Sequence, residues 1–413
     1  MSILLSPPER LHADVRLPAS KSLSARALVL DALSGAGGEG LSNLSDCDDT
    51  RAMRSAFAAT GDTINIGAAG TAMRFLTAFL SVTAGSRTLT GTERMCHRPI
   101  GILVEALRSL GADIAYLGEE GFPPLRITGR TLNGGRIEVD GSISSQYVSA
   151  LLMIGPTLRG GLTLSLRGHI ASRPYIEMTM ALMRQFGACV DWTDERTIAA
   201  SGSYRPTRYS VEADWSAASY WYEAVALSQD DSAEVRLHGL QEKSLQGDSL
   251  VSTLFEPLGV RTEFCCDASG PSIRLTKNGK AAARMEQDFA MQPDLAQTFV
   301  ACCTLLGTRF CFTGLESLRI KETDRLRALQ NELRKLGFVL YEPTCGTLVW
   351  DGETCDVQPA ALDTYEDHRM AMALAPVALR TGSLRINNPE VVSKSYPRFW
   401  DDLVAAGFRI AEQ

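Results

Sequence analysis

The pattern of apolar and polar positions along this chain repeats. Leu103, Leu107 and Leu110 fall on one helical face, Glu105, Arg108 and Ser109 lie between them, and the stretch ends at Gly111. Leu329, Leu333 and Leu336 do the same ahead of Gly337. Segments of this kind close at Gly61, Gly111, Gly187, Gly259, Gly337 and Gly407, at intervals of 50, 76, 72, 78 and 70 residues. The intervals predict six copies of one unit, the first about 20 residues shorter than the others.

A second series runs in phase with the first. Ser22, Thr71, Ser145, Ser216, Asp294 and His368 each open a run of small and apolar residues, spaced 49, 74, 71, 78 and 74 apart. Each unit is therefore expected to hold two helices among its strands. One is polar-faced, lies at the surface and ends at Gly; the other is apolar nearly all round and buried.

Composition narrows the class. At 413 residues the chain exceeds one ordinary core, so two domains are expected. Hydrophobic content of 45% beside 22% charged residues describes a globular protein with ample surface to bury. No apolar run reaches the length of a membrane span, and the opening Met1 to Pro8 is too short for a secretory signal, so no membrane and a cytoplasmic location are expected. The ten cysteines include no C-x-x-C spacing, which speaks against a zinc site or a disulfide framework. A net charge of −7 argues against a nucleic-acid surface. An anionic ligand would need local clusters of cations.

Such clusters stand at predicted helix starts. Lys21, Ser22 and Arg26 sit where a helix would begin ahead of Ala27. Helix N-termini offer free N–H groups and the positive end of the dipole, so added cations there make an anion site. Gly67-Ala68-Ala69-Gly70-Thr71 follows a predicted strand, and its glycines suit either close backbone approach to a ligand or a plain tight turn. Arg94 and Arg98 precede the Gly111 helix and, taken singly, read as surface residues. Ser144 and Ser145 open another helix as caps, while Gln146 adds a donor and acceptor that a cap does not need.

Ser172, in Ala171-Ser172-Arg173-Pro174-Tyr175, reads as a cap, and so does Asp214. Lys321-Glu322-Thr323-Asp324-Arg325 places five polar residues at a helix entrance, with Thr323 or Asp324 as the cap and Arg325 against the dipole. Asp367 caps a Met-Ala-rich helix whose first turn carries Arg369; His368 could be a general base or a packed imidazole. Lys394 completes the set. Like charges about 4 Å apart repel by up to roughly 4 kcal/mol at an effective dielectric near 20, so the clusters imply a ligand with several negative charges. Asp294 and Glu322 are the natural pair for acid and base work among them.

These motifs, together with Pro18-Ala19-Ser20-Lys21-Ser22, Gly70-Thr71-Ala72-Met73-Arg74, Arg98-Pro99-Ile100, Ser144-Ser145-Gln146 and Asp367-His368-Arg369-Met370-Ala371, closely resemble the 5-enolpyruvylshikimate-3-phosphate synthase family over essentially the whole chain. The resemblance implies an α/β (α+β) protein with the two-domain enolpyruvyl transferase fold, made of six β-α-β-α-β-β units. Residues 1–19 would join 214–413, residues 20–213 would form the second domain with the shortened unit, and the active site would lie in the cleft between them. The implied reaction moves the enolpyruvyl group of phosphoenolpyruvate to the 5-hydroxyl of shikimate 3-phosphate and releases phosphate, without metal or cofactor, in a monomer. By motif match, Ser22, Arg26, Ser144, Ser145, Ser172 and Lys321 would hold shikimate 3-phosphate, with Tyr175 and Ser317 close by. Gly70, Arg98, Arg325, Arg369 and Lys394 would hold phosphoenolpyruvate, and Lys21 and Gln146 would touch both. Glu322 would donate the proton and Asp294 accept one, with Lys21 also counted as catalytic.

Some positions depart from the family pattern. Ala25 and Ala68 replace a usual Asn, Phe75 a frequent Pro, and Ser317 an Asn that contacts shikimate 3-phosphate. Because Ala68 and Phe75 flank Gly70, altered sensitivity to glyphosate, which competes at the phosphoenolpyruvate site of that family, is expected. The alternatives are the related transferase acting on UDP-N-acetylglucosamine, and a repeat scaffold or impaired paralogue. The first carries Lys-Asn where this chain has Lys21-Ser22, and its loop cysteine has no match at the right spacing. The second predicts decay of Asp294, Glu322 and the cations, none of which has occurred.

Overall fold

The computed structural model describes residues 1–413 except Ile143, Ala171 and Ser269. Ala171, the first residue of one motif above, thus lies outside the described residues. The chain forms two compact units, Ala19–Val211 and a discontinuous one made of Met1–Pro18 with Glu212–Gln413.

The Ala19–Val211 unit carries α1 (Lys21–Ser34), α2 (Asp48–Ala58), α3 (Gly70–Val82), the short α4 (Glu93–Cys96), α5 (Gly101–Ser109), α6 (Ser145–Ile154) and α7 (Arg173–Gln185). In one of its sheets Thr63–Asn65 runs parallel to Gly85–Thr90, which pairs antiparallel with Leu125–Gly129 and through it with Asp113–Tyr116. The second sheet repeats this order and sense with Asn133–Asp140, Arg159–Arg167, Thr197–Ser201 and Cys189–Trp192. The third consists of Leu41–Ser42 parallel to Tyr209–Ser210 alone. Among the described residues it has no antiparallel hairpin of the kind the other two carry.

The discontinuous unit carries α8 (Trp215–Leu227), the short α9 (Val251–Leu254), α10 (Ala296–Leu306), α11 (Arg325–Lys335), α12 (His368–Leu374), the short α13 (Ala378–Thr381) and α14 (Phe399–Ala405). His12–Arg16 lies parallel to Glu234–His238, followed by Gly270–Lys277 and Val260–Asp267 in the same arrangement as before. Arg284–Asp288, Arg309–Thr313 and Leu348–Trp350 form a three-stranded version. Ser2–Ser6 is inserted between Leu384–Asn387 and Arg409–Glu412, so the first strand of the chain completes the last sheet.

Helix burial follows the two sequence patterns. Every residue of α12 is buried, and every residue of α8 except Ser216. The polar-faced helices α5, α7 and α11 bury one stripe each, such as Leu326, Leu329 and Leu333 of α11. Five of the closing glycines, 111, 187, 259, 337 and 407, have φ between 88° and 100°, the left-handed conformation that ends a helix at no steric cost. Gly61 differs, because α2 stops at Ala58 through the extended Ala59. An aromatic chain through Phe255, Phe299, Phe289 and Phe312, with centroids 4.5, 5.3 and 5.1 Å apart, fills the core of the discontinuous unit.

Two buried glutamates of this unit contrast sharply. Glu212 accepts from Trp215 Nε1 at 2.9 Å, the Gln241 N–H at 2.9 Å, Ser244 Oγ at 2.6 Å and Gln246 Nε2 at 3.0 Å, which fixes the chain as it enters α8. Glu223, two turns further on, has no hydrogen-bond partner for either carboxyl oxygen among the described residues. Burial alone pushes its pKa well above 4.5. The folded chain therefore holds this proton more tightly than the unfolded chain, and stability falls as pH rises above the unfolded value, until the folded carboxyl itself ionises. Glu223→Met, which keeps the volume and removes the charge, should stabilise the protein by about 1–3 kcal/mol at pH 8 and by less at pH 4.5. Denaturant unfolding at the two pH values checks this.

Candidate active site

Helix α1 begins with the cations in its first turns. Ser20 is its cap, accepting from the Leu23 N–H at 3.4 Å, so Lys21 occupies the first helical position. Lys21 Nζ lies 3.8 Å from Asp49 on α2, which offsets the unfavourable placement of a cation against the dipole. Arg26 is 2% exposed and takes a different solution. Its Nε donates to Thr179 Oγ1 at 2.7 Å, one terminal nitrogen to the Ser22 carbonyl at 2.9 Å, and the other to Ser149 Oγ and the Tyr175 carbonyl, both at 3.2 Å. Its guanidinium also lies 5.4 Å from the Phe75 ring centre and 5.9 Å from that of Tyr175. With hydroxyls and carbonyls in place of carboxylates, burial pulls its pKa down to about 10. It remains a cation whose charge is uncompensated by any ion pair among the described residues.

Helix α3 starts without a side-chain cap, since Ala69 is its N-cap. Its first N–H groups are available to an anion. A Cβ built on Gly70 would come within 2.6 Å of a terminal nitrogen of Arg98, so the missing side chain is what lets Arg98 lie across this helix end. Arg74, in the next turn, donates to the Gly70 carbonyl and the Pro99 carbonyl, both at 3.1 Å, and Tyr147 of α6 donates to the same Pro99 carbonyl at 2.7 Å. These bonds tie the loop bearing Arg98 to α3 and α6. Ser144 caps α6 by accepting from the Gln146 N–H, and Gln146 Nε2 reaches Thr71 Oγ1 at 3.2 Å. Gln146 thus spans two helix starts, which a cap would not require.

Ser172 corrects the reading as a cap. It makes no capping bond and has a φ of 54°, an uncommon conformation for a non-glycine residue, while being 8% exposed. Strain of this kind costs of order 1–3 kcal/mol and gathers at functional sites. Asp214, by contrast, caps α8 as expected, accepting from the Ser216 and Ala217 N–H groups at 2.8 and 3.2 Å.

The discontinuous unit brings its predicted residues into one ion-pair network. Arg325, the first residue of α11 and 1% exposed, donates Nε to Asp367 at 2.7 Å, one terminal nitrogen to Asp294 at 3.1 Å, and the other to Glu322 at 3.1 Å and Asp367 at 3.2 Å. Arg369 donates to Asp294 at 3.0 Å, Lys394 to Glu322 at 2.8 Å, and Lys321 Nζ lies 3.8 Å from Asp294. Asp367 caps α12 as well, accepting from the Arg369 N–H at 2.9 Å, and Asp324 caps α11 through the Arg327 N–H at 3.2 Å. His368 is buried, with Nδ1 3.6 Å from Asp367. Ser317 lies half-buried in the single turn Glu316–Ile320 that leads into Lys321.

This network corrects the inference that the cations repel until a ligand arrives. Asp294, Glu322 and Asp367 neutralise most of the charge of Lys321, Arg325, Arg369 and Lys394 from within the protein. Asp367, Glu322 and Asp294 raise the Arg325 pKa further despite burial. Asp294 favours the charged form of Lys321, but burial and the Arg325 guanidinium outweigh it and lower the pKa.

Sequence reasoning missed Asp248. Its Oδ2 accepts from Ser216 Oγ, at the start of α8, and burial followed by the facing Asp294 carboxylate pushes its pKa up to about 7. It stands in Gln246-Gly247-Asp248, outside both periodic series, so only tertiary contacts reveal it. Thr179, on the buried stripe of α7, and Ser149, on the buried α6, hold Arg26 and carry no sequence signal of their own.

Solved structures show that the chain has the enolpyruvyl transferase fold. EPSP synthase from Acinetobacter baumannii superposes with a TM-score of 0.79 at 21% identity over 100% of both chains. The enolpyruvyl transferase NikO from Streptomyces tendae gives 0.72 at 18% identity, over 100% of this chain and 98% of that one. In sequence, the family model described as EPSP synthase (3-phosphoshikimate 1-carboxyvinyltransferase) matches residues 5–64 and 55–403. The 3-phosphoshikimate 1-carboxyvinyltransferase of Bacteroides fragilis is 54% identical over 412 residues, covering 99% of each chain. That of Photobacterium profundum is 37% identical over 431 residues, covering 97% of this chain and 98% of its own. The chain belongs to the EPSP synthase family, and its activity is that of a 3-phosphoshikimate 1-carboxyvinyltransferase of the shikimate pathway. No helix among the described residues is long and apolar enough to cross a membrane.

Gly70→Ala tests the seat of Arg98. The new methyl meets only the far ends of the Arg98 and Arg74 side chains, so the melting temperature should change by no more than about 2 °C, while the expected assignment of Arg98 to phosphoenolpyruvate predicts a KM for that substrate raised about tenfold, with a smaller fall in kcat. Steady-state kinetics beside a thermal melt reads both effects.

Proposed function

We propose that the residues named above divide the two substrates between them as follows. Ser22, Arg26, Ser144, Ser145, Ser172, Ser317 and Lys321 hold shikimate 3-phosphate, with Tyr175 beside it. Gly70, Arg98, Arg325, Arg369 and Lys394 hold phosphoenolpyruvate, and Lys21 and Gln146 touch both. The uncapped start of α3 beneath Arg98 suits an anionic group of the second substrate. We also read the three sheets of each unit as three repeats, the first shortened, in domains corresponding to residues 20–213 and to 1–19 with 214–413. The protein would act as a cytoplasmic monomer.

One observation carries the catalytic assignment. Asp294 and Glu322 share Arg325 and are otherwise held by different cations, Arg369 and Lys394, so two carboxylates of the same network have separate surroundings. Separate surroundings let one serve as acid and the other as base. Glu322 gives a proton to the methylene carbon of phosphoenolpyruvate as the 5-hydroxyl of shikimate 3-phosphate attacks the adjacent carbon, and Asp294 takes the hydroxyl proton. The product is a tetrahedral ketal phosphate. Its breakdown returns a methyl proton to the carboxylate of Glu322, re-forms the double bond and expels phosphate, which Asp294 protonates. The fixed cations stabilise the charge developing on the departing phosphate.

Phosphate release from phosphoenolpyruvate, measured with shikimate 3-phosphate and separately with UDP-N-acetylglucosamine, tests the assignment. Release should occur only with shikimate 3-phosphate and should fall by about 10²–10⁴ in both Asp294→Ala and Glu322→Ala. Near-normal turnover in either variant would remove that residue from the acid–base pair.

A further inference from the structure

The resident carboxylates occupy the donors that an anionic substrate would need. Four of the five N–H groups of Arg325 point at Asp294, Glu322 and Asp367, and the guanidinium is almost wholly buried. Lys394 Nζ is 2.8 Å from Glu322 Oε1 with both side chains 13% exposed. An incoming phosphate or carboxylate can engage Lys394, Arg325 and Arg369 fully only by breaking contacts to Glu322 and Asp294. Asp367 is less replaceable, because it is fully buried and caps α12 at the same time.

We propose that Glu322 is a resident counter-ion that substrate displaces, and that the displacement itself loads it with the proton it later donates. The reading of Glu322 as the acid underlies this step. The charged groups facing Glu322 include Lys394 from the turn Pro389–Lys394, Arg325 from α11 and Lys321 from its own loop, with Asp294 on the other side of Arg325. When the first two turn to the oxygens of the ligand, the carboxylate loses its bonded cations and gains an anionic neighbour. Both changes favour the neutral acid. A buffer acid supplies the proton, leaving its conjugate base in solution, so the balance needs no further reactant. The acid is thereby armed only when substrate is in place, and Asp294, still facing Lys321, remains the base.

Calorimetric titration of the enzyme saturated with shikimate 3-phosphate by glyphosate, in buffers of different ionisation enthalpy at pH 7, reads the proton directly. The wild-type protein should take up about one proton more than Glu322→Gln, since subtraction removes the titration of the ligands themselves. Equal uptake in the two proteins, with binding intact in both, would overturn the proposal. Should the variant fail to bind, infrared difference spectra of the wild type with ¹³C-labelled glutamate decide: a protonated-carboxyl band that appears with glyphosate and shifts with the label is expected, and its absence contradicts the proposal. Turnover of Glu322→Gln distinguishes the two claims, because undiminished phosphate release would sink the acid role while leaving the counter-ion exchange to the proton count.

Discussion

A single buried guanidinium organises the ion-pair network of the discontinuous unit. Arg325 at the start of α11 binds Asp294 ahead of α10, Glu322 in the loop before its own helix, and Asp367 at the cap of α12. A cation in the first turn of a helix opposes the dipole, and its burial adds a desolvation cost of several kcal/mol. Three carboxylates from separate segments offset both costs, so the network holds only when those segments are correctly packed. Removing one partner of such a buried pair typically costs 3–5 kcal/mol. The groups assigned to chemistry are therefore also the groups that align three helix starts.

In the other unit Lys21 also leans on a carboxylate, Asp49, but the buried Arg26 does without one. Arg26 is satisfied by hydroxyls and carbonyls from α1, α6 and α7, which meets its hydrogen-bonding needs but leaves its charge in place. One unit thus presents a cluster already neutralised from within, and the other a cation kept charged in a polar cage. The first can exchange its internal anions for those of a substrate; the second can only add one. This difference suits acid–base work on the side of Asp294 and Glu322 and plain anion capture on the side of Arg26.

Much of the architecture was legible because it rests on local rules repeated along the chain. The glycines that close helices, such as Gly111 and Gly337, could be read from the apolar stripe that precedes each. Gly61 broke the rule because α2 ends early, in an extended rather than left-handed residue. Asp294, Asp367 and Arg369 stood out at or beside the second periodic series and Lys321, Glu322 and Arg325 as a polar run at a helix entrance, while the place of Lys394 rested on the family resemblance. Their mutual neutralisation was not legible, since it depends on Asp294, Glu322 and Asp367 converging from positions far apart in sequence. Asp248 and the hydroxyls of Ser149 and Thr179 stayed hidden for the same reason, and the φ of 54° at Ser172 has no sequence signature where a serine normally caps.

The exchange of internal for external anions is open to direct observation in a crystal structure with shikimate 3-phosphate and glyphosate bound. Ligand oxygens should replace Glu322 on Lys394 and Asp294 on Arg369, opening contacts that now measure 2.8 and 3.0 Å, while Asp367 keeps its bond to Arg325. Both contacts persisting at those lengths with the ligands in place would contradict the account.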